Sequence, residues 1–233
     1  MKLFNYFGLL LSVLGLSLSV WAKTVIAEPA LQLPKASSDF VLTQTPDASM
    51  GSHDQDVGIK KGSKVADFSV STHDGKKADF STLLKSAPLM VVFYRGGWCP
   101  YCNLQIRELT KEWPKFKRRG VTPVLISADS IDGAALASTT YKIPFPVLSD
   151  TNLTAHNAFD VTLDVDAETY KLYQSYGIEL EAWSGKGHHK IAVSSAFLVD
   201  SEGIVQWAHT SKDYQTRPTA KQLLSVIDAI ALD

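Results

Sequence analysis

The chain has 233 residues and a formal net charge of −1, with 23 Lys and Arg set against 24 Asp and Glu. It shows no basic stripe and no run of like charge, which excludes nucleic acid as an expected partner and leaves charge uninformative about other partners. The chain is long enough to bury a full core, and its only two cysteines, Cys99 and Cys102, lie two residues apart.

At the amino terminus Lys2 is followed by an apolar run from Leu3 to about Ala22, interrupted by Asn5, Gly8, Gly15 and small serines. This is the pattern of a secretory signal peptide, residues 1–22, with Val20 and Ala22 as the small residues before a cleavage point after Ala22. The expectation is an exported protein, periplasmic or secreted. An uncleaved amino-terminal membrane anchor is the second reading, because the run is nearly long enough to span a bilayer. Residues 23–56 are rich in Ser, Thr, Ala, Asp and Pro without a sustained period, as in a linker or loosely ordered arm, with one short strand or helical turn at Phe40 to Gln44.

The ordered domain is expected over 57–233. Two short strands flank a turn at His73 to Lys76, and DFSTLLKSA follows as a turn or short helix. PLMVVFY, Pro88 to Tyr94, is a continuous apolar and β-branched run bounded by Pro and Gly-Gly, as in a central strand buried on both faces. Leu104, Leu109, Trp113 and Phe116 form a helical stripe over 103–119, broken or kinked near Pro114. VTPVLISAD reads as a strand, IDGAALASTTYKI as a helix and FPVLSD as a strand, the alternation of βαβ units around a parallel core. Ala196 to His209 forms an antiparallel hairpin around Asp200 to Gly203, and a helix with the stripe Leu223, Leu224, Ile227 and Ile230 closes the chain.

The cysteine pair sits between the central strand and a helix. A disulfide closing so short a loop removes little entropy from the unfolded chain, so stapling explains the pair poorly. A helix amino terminus, with its unpaired N–H groups and positive dipole end, stabilises a thiolate there. A structural zinc site needs about four ligands. Two cysteines with the remote His188 and His189 form no such spacing, so neither a metal nor another cofactor is expected.

Strand, Cys-X-X-Cys, helix, hairpin and terminal helix is the order of a thioredoxin-like α/β fold, a central mixed sheet flanked by helices. FYRGGWCPYCNLQIREL, VLISADS, FPVLSDTNLTAHNAF, YGIEL, SSAFLVDSEGIVQWAH and DYQTRP resemble the peroxiredoxin-like branch of the alkyl hydroperoxide reductase C / thiol-specific antioxidant (AhpC/TSA) family, over about residues 64 to 230. The resemblance implies reduction of hydrogen peroxide and organic hydroperoxides by a thiolate. Typical members carry Phe-Tyr-Pro, three residues, then Thr-X-X-Cys before the helix. In that frame Cys102 is the peroxidatic position, Cys99 takes the threonine site and Arg95 the proline site. In thioredoxin-like proteins the first cysteine of the pair attacks, which is Cys99. Both frames fit, and Cys102 is favoured for peroxide.

The implied cycle runs from a thiolate to a sulfenic acid, then to a Cys99–Cys102 disulfide that an external dithiol, such as a thioredoxin-like protein, reduces. Around the pair, Arg95 is expected either to hold the thiolate or to be a solvated strand-end residue. Trp98 either shields the thiols or packs as a plain aromatic. Typical relatives place an arginine at the start of the first hairpin strand, where this chain has Ser194 and Ser195. Arg217, with Tyr214 beside it in the Lys212 to Pro218 loop, is the candidate substitute cation. Relatives also carry a cis-proline where Ser194 stands, so a trans bond and altered partner binding are expected here.

Arg107 reads as an exposed helix residue, His188 and His189 as solvated loop residues, and His156 as a helix residue without a role. Asp129, Asp150 and Asp200 each end an apolar strand and read as turn or helix caps. Two rivals to the peroxidase stand: an exported thiol–disulfide oxidoreductase with Cys99 as nucleophile, and a non-catalytic binding domain with a permanent disulfide.

Overall fold

The computed structural model describes residues 31–34, 54 and 56–230. The signal-type segment 1–22, the short element expected at Phe40 to Gln44 and most of the arm 23–56 lie outside the described residues. No helix among the described residues is long and apolar enough to cross a membrane.

Ser69–Thr72 (β1) and Lys77–Asp79 (β2) form the first hairpin, followed by helix Phe80–Leu84 (α1). Leu89–Phe93 (β3) is buried along its whole length. It runs parallel to Thr122–Ser127 (β4), which in turn runs parallel to Val147–Ser149 (β5). Between these strands lie helices Pro100–Arg118 (α2) and Ile131–Tyr141 (α3). The hairpin expected near the carboxy terminus is Ser194–Val199 (β8) with Val205–Ser211 (β9), and the terminal helix Ala220–Ala229 (α7) follows. The seven-stranded sheet has the order β2-β1-β5-β4-β3-β8-β9, mixed in direction and flanked by helices, as a thioredoxin-like fold requires.

Strand alternation divides the core in two. Met90, Val92 and Tyr94 face one side of the sheet with α2 and α7, where Ile106, Leu109, Phe116, Leu223 and Ile227 close over them. Leu89, Val91 and Phe93 face the other side with Phe68, Phe80, Phe159 and Phe197. Each such fully buried side chain stabilises the fold by roughly 1.5–3 kcal/mol relative to exposure. The α7 stripe meets this core at Leu223, Leu224 and Ile227, while Ile230 is partly buried. A capping box between Thr219 and Gln222 fixes where α7 starts.

Three details differ from the sequence expectation. Helix α2 begins at Pro100 rather than 103, because proline at the first helical position lacks only an N–H that would be unpaired there anyway. It also stays helical through Pro114 rather than breaking, with Phe116 beyond the proline anchored in the core. Residues 151–193, which periodicity left largely without elements, form Thr154–Ala158 (α4), Thr162–Asp164 (β6), Ala167–Ser175 (α5), Leu180–Ser184 (α6) and Lys190–Ala192 (β7). β6 and β7 pair as a separate two-stranded sheet.

The topology concentrates chemistry at one edge of the large sheet. β3 and β4 end side by side, with Phe93 opposite Ile126, and β8 starts there with Ser195 opposite Phe93. β9 returns to the same edge, where Ser211 pairs with Ser194. The cysteine turn after β3, Asp129 after β4 and the Lys212 to Pro218 loop therefore converge, in the crevice where open α/β sheets carry their sites. The described peptide bonds are all trans, including that at Ser194, as expected from the missing proline.

Candidate active site

Residues Tyr94 to Cys99 connect β3 to α2, and both glycines of this loop answer to packing. Gly96 has φ 153°, and a Cβ there would lie 2.2 Å from Trp98 Nε1 and 2.8 Å from Asp129 Oδ1. A Cβ on Gly97 would lie 2.7 Å from the Trp183 ring and 2.9 Å from Leu33. The Gly97 N–H donates to Asp129 Oδ2 at 2.8 Å, and its carbonyl accepts from Asn103 Nδ2 at 2.7 Å. Tied from both sides, the loop delivers Cys99 to the N-cap of α2 and Cys102 to its first turn.

Both cysteines are free thiols and fully buried. Arg217 is also buried, and its Nη2 donates to Cys102 Sγ at 3.0 Å. The guanidinium is aimed by two further bonds, to Gln105 Oε1 at 3.1 Å and to the Tyr214 carbonyl at 2.9 Å. Gln105 in turn donates to the Pro218 carbonyl at 2.8 Å, so α2 and the loop after β9 lock each other. The expected approach of this loop to the cysteines is what the structure has.

Burial raises the Cys99 thiol, but the hydrogen bond from Cys102 and the charges of Arg217 and Arg95 outweigh it and lower its pKa to about 6. Burial, with the hydrogen bond to Cys99, pushes Cys102 well above the ordinary thiol range. The two sulfurs thus lose their first proton as a pair and hold the second tightly. One negative charge shared between two sulfurs, with a guanidinium on it, is a nucleophile ready at neutral pH.

Arg95 is buried rather than solvated. Its guanidinium lies 4.3 Å from the ring centre of Tyr214, 4.9 Å from Trp98 and 5.4 Å from Tyr173, and it donates to the Tyr173 hydroxyl. Trp98 packs against Tyr173 at 5.3 Å between ring centres. Together with Cys99 these side chains line a cavity of about 950 Å³, whose far wall comes from α5, α6 and Val193 to Ser194. Cys102 does not line this cavity; it lies behind Cys99, toward Arg217.

Asp129 is the functional candidate that the sequence reading treated only as a turn or cap. It is buried beneath the cysteine loop, and its carboxyl is raised to about 7, by burial above all and by the Cys99 charge, against the hydrogen bonds from Gly97 and Ser127. An aspartate at the end of the strand next to the cysteine strand was the available signal, since parallel neighbours end at the same edge. Asp150 does cap, accepting from the Thr154 N–H at 2.8 Å, and also pairs with the buried His156. Asp200 closes its turn by accepting from the N–H groups of Glu202 and Ile204.

His188 bonds to the Thr151 carbonyl and the Lys190 N–H, and His189 pairs with Glu181 while stacking on Tyr170 at 3.9 Å. Neither lines the cysteine cavity. Among the described residues no group of three or more His, Cys, Asp or Glu could hold a metal ion.

With this geometry in hand, the sequence model described as the AhpC/TSA family matches residues 61–208. Chloroplastic peroxiredoxin Q of Sedum lineare is 28% identical over 142 residues, 59% of this chain and 76% of that protein. Chloroplastic peroxiredoxin Q of Populus jackii is 29% identical over 172 residues, 74% of this chain and 70% of that one. The crystal structure of peroxidoxin BcpB from Mycobacterium tuberculosis aligns with a TM-score of 0.58 at 21% identity, covering 74% of this chain and 99% of that one. At that identity the structural likeness carries the fold alone.

Proposed function

The chain belongs to the AhpC/TSA family and is a peroxidase-class oxidoreductase of the peroxiredoxin kind, and from that premise we propose that it reduces hydroperoxides through the Cys99–Cys102 pair. The observation that carries the proposal is the Arg217 guanidinium on Cys102 Sγ at 3.0 Å. A cation there stabilises the thiolate and the negative charge that develops on the peroxide oxygens as the O–O bond breaks.

In the proposed cycle the one proton that the pair retains passes from Cys102 to Cys99, and the Cys102 thiolate so formed, held by Arg217, attacks the terminal peroxide oxygen. The O–O bond breaks, the alkoxide leaves and takes up a proton as alcohol, and Cys102 becomes a sulfenic acid. The Cys99 thiol attacks that sulfur, water leaves, and a disulfide forms. Two thiols of an external dithiol protein then reduce it through a mixed disulfide and return both protons. If residues 1–22 act as a leader, this dithiol must be supplied outside the cytoplasm, and the mature amino terminus is expected at Lys23.

A second assignment within the same site is favoured by one observation. Cys99, not Cys102, lines the cavity and has the lowered pKa, which suits a thiol–disulfide oxidoreductase whose first cysteine attacks. Stopped-flow tryptophan fluorescence of the reduced protein mixed with hydrogen peroxide or cumene hydroperoxide separates the two. Fast oxidation that survives Cys99→Ser and vanishes in Cys102→Ser is the result expected. Loss in Cys99→Ser alone reverses the roles, and inertness to peroxide with rapid exchange against a protein disulfide replaces the peroxidase with the oxidoreductase.

A further inference from the structure

Part of the amino-terminal arm reaches the cysteine turn. In Leu31 to Pro34 the side chains alternate: Leu31 and Leu33 are partly buried against the core that holds Trp98, Cys99 and Trp183, while Gln32 is exposed. That is the period of an extended segment with one face on the domain. Leu33 sits over Gly97, where a Cβ would lie 2.9 Å from Leu33 Cδ2. Gln32, Leu33 and Pro34 also form part of the wall of the cavity that Cys99 lines. Among the described residues no backbone hydrogen bond ties 31–34 to the sheet or the helices. A segment held by two leucines and no ladder opens at small cost.

Its position gives that opening a consequence. Both sulfurs are fully buried. A protein that exchanges with a Cys99–Cys102 disulfide must pass through a mixed disulfide, which brings the two bonded cysteines to a Cα separation of about 4.4–6.8 Å. At Cys99 this lays a foreign main chain over the turn, two residues from the glycine that Leu33 covers. A small dithiol or a hydroperoxide brings no main chain and needs no such room.

We propose that residues 31–34 are a strap over the cysteine turn, which must lift before a dithiol protein reaches the disulfide, whereas small molecules react with the strap in place. Resting on the reading that the pair cycles through a Cys99–Cys102 disulfide, this assigns the strap to the reductive half of the cycle. There the partner's thiolate attacks the Cys99 sulfur, the Cys99–Cys102 bond breaks and Cys102 leaves. The partner's second thiol then attacks its own bonded sulfur and frees Cys99, so that the pair gains the two electrons and two protons that the partner loses. The rate with a protein partner scales with the fraction of molecules whose strap is lifted.

The test forms the disulfide in the full chain with diamide, which requires no peroxidase activity. Its reduction by a bacterial thioredoxin and by dithiothreitol is followed by counting free thiols by mass after alkylation. In Leu33→Gln, which brings no charge to the thiols, the thioredoxin rate is expected to rise roughly four- to tenfold, the factor that exposing a partly buried leucine supplies. The dithiothreitol rate should change by less than about twofold, and Leu31→Gln should act in the same direction. Thioredoxin rates unchanged in both variants overturn the strap. So does an equal rise with both reductants, which means a loosened site rather than a removed cover. A fall with thioredoxin alone overturns it as well, by making the segment part of the partner's docking face. A protein inert to every hydroperoxide that still shows the thioredoxin-selective rise keeps the strap and loses the peroxidase reading, so the two ideas fail separately.

Discussion

The buried Arg217 guanidinium donates to Cys102 Sγ at 3.0 Å, while two other bonds from the same side chain hold it to Gln105 and to the Tyr214 carbonyl. This cation is fixed before any substrate arrives, so its effect on charge at the sulfurs needs no rearrangement. Arg217→Gln removes a charge-assisted bond worth about 1.5–3 kcal/mol, which corresponds to roughly ten- to a hundredfold in peroxide oxidation rate at pH 7. The first thiol ionisation, followed by thiolate absorbance near 240 nm, should move upward from about 6. Lys at this position keeps the charge but not the fork, and an intermediate loss is expected. An unmoved ionisation with an unmoved rate takes Arg217 out of the mechanism.

Asp129 predicts a pH dependence of opposite sign to that of an ordinary surface carboxylate. Its folded pKa of about 7 lies above the ordinary 3.8, with burial as the main cause. The fold therefore favours the protonated acid, and its contribution to stability is full below about pH 4 and lost as pH rises through 7. Asp129→Asn keeps an oxygen to accept the Gly97 N–H and removes the titration. The variant should gain on the wild type between pH 4 and 7, by up to about 4 kcal/mol, with a constant difference above that range. The Cys99 charge is one cause of the raised Asp129 value, but Asp129 is still largely protonated where Cys99 ionises, so the variant should leave the Cys99 ionisation near 6. Denaturant melts at four pH values check the first effect. A gap that stays the same from pH 4 to 7 means that Asp129 does not titrate near neutrality.

The parts of this site that were legible beforehand are those that sit next to each other in sequence. β3, the glycine turn, the cysteines and α2 are consecutive, and an apolar run, Gly-Gly and Pro at a helix start announce them. The Arg217 contact could be anticipated only through topology, because a hairpin whose second strand returns to the cysteine edge brings the following loop with it. The Arg95 cage had no such signal. Tyr173 comes from α5, a helix with no fully buried residue and no strong apolar stripe, and Tyr214 from a loop. Asp129 was hidden by an ambiguity of chemistry: an aspartate after a strand looks the same whether it caps a turn or lies under a neighbouring loop.

The lowered pKa of Cys99 makes thiol reactivity a function of pH that differs from that of a free cysteine. With an ionisation at about 6, alkylation of the reduced protein by iodoacetamide should rise through that pH and level off by about pH 7, where roughly nine-tenths of the pair carries its charge. A folded pKa below the unfolded one also means that the Cys99 thiolate stabilises the reduced fold at high pH, with that contribution lost as pH falls through 6. Cys102 works the other way: its raised value adds stability below the ordinary thiol range and removes it as pH rises beyond. Reduced-form stability should therefore climb from pH 6 toward 8 in the Asp129→Asn background, where the carboxyl no longer offsets it. Alkylation that begins only near pH 8.5 would mean that neither sulfur is activated.

On the opposite face of the sheet, Asp150 Oδ2 meets Nδ1 of the fully buried His156 at 2.7 Å and accepts the His156 N–H at 2.9 Å, while Oδ1 takes the Thr154 N–H at 2.8 Å. The carboxylate thus satisfies two backbone donors at the start of α4 and one ring nitrogen that packs on Phe93. Asp150→Ala leaves all three without a partner inside the protein, at a cost of about 3 kcal/mol. For a chain of this size that lowers the melting midpoint by roughly 6–12 °C. Asp150→Asn keeps an acceptor and should lose less. Neither residue lines the cysteine cavity, so the thiol ionisation and the rate per folded molecule should not change in either variant. A fall in rate at constant stability would instead place this pair in the chemistry, through the Phe93 strand that leads directly into the cysteine turn.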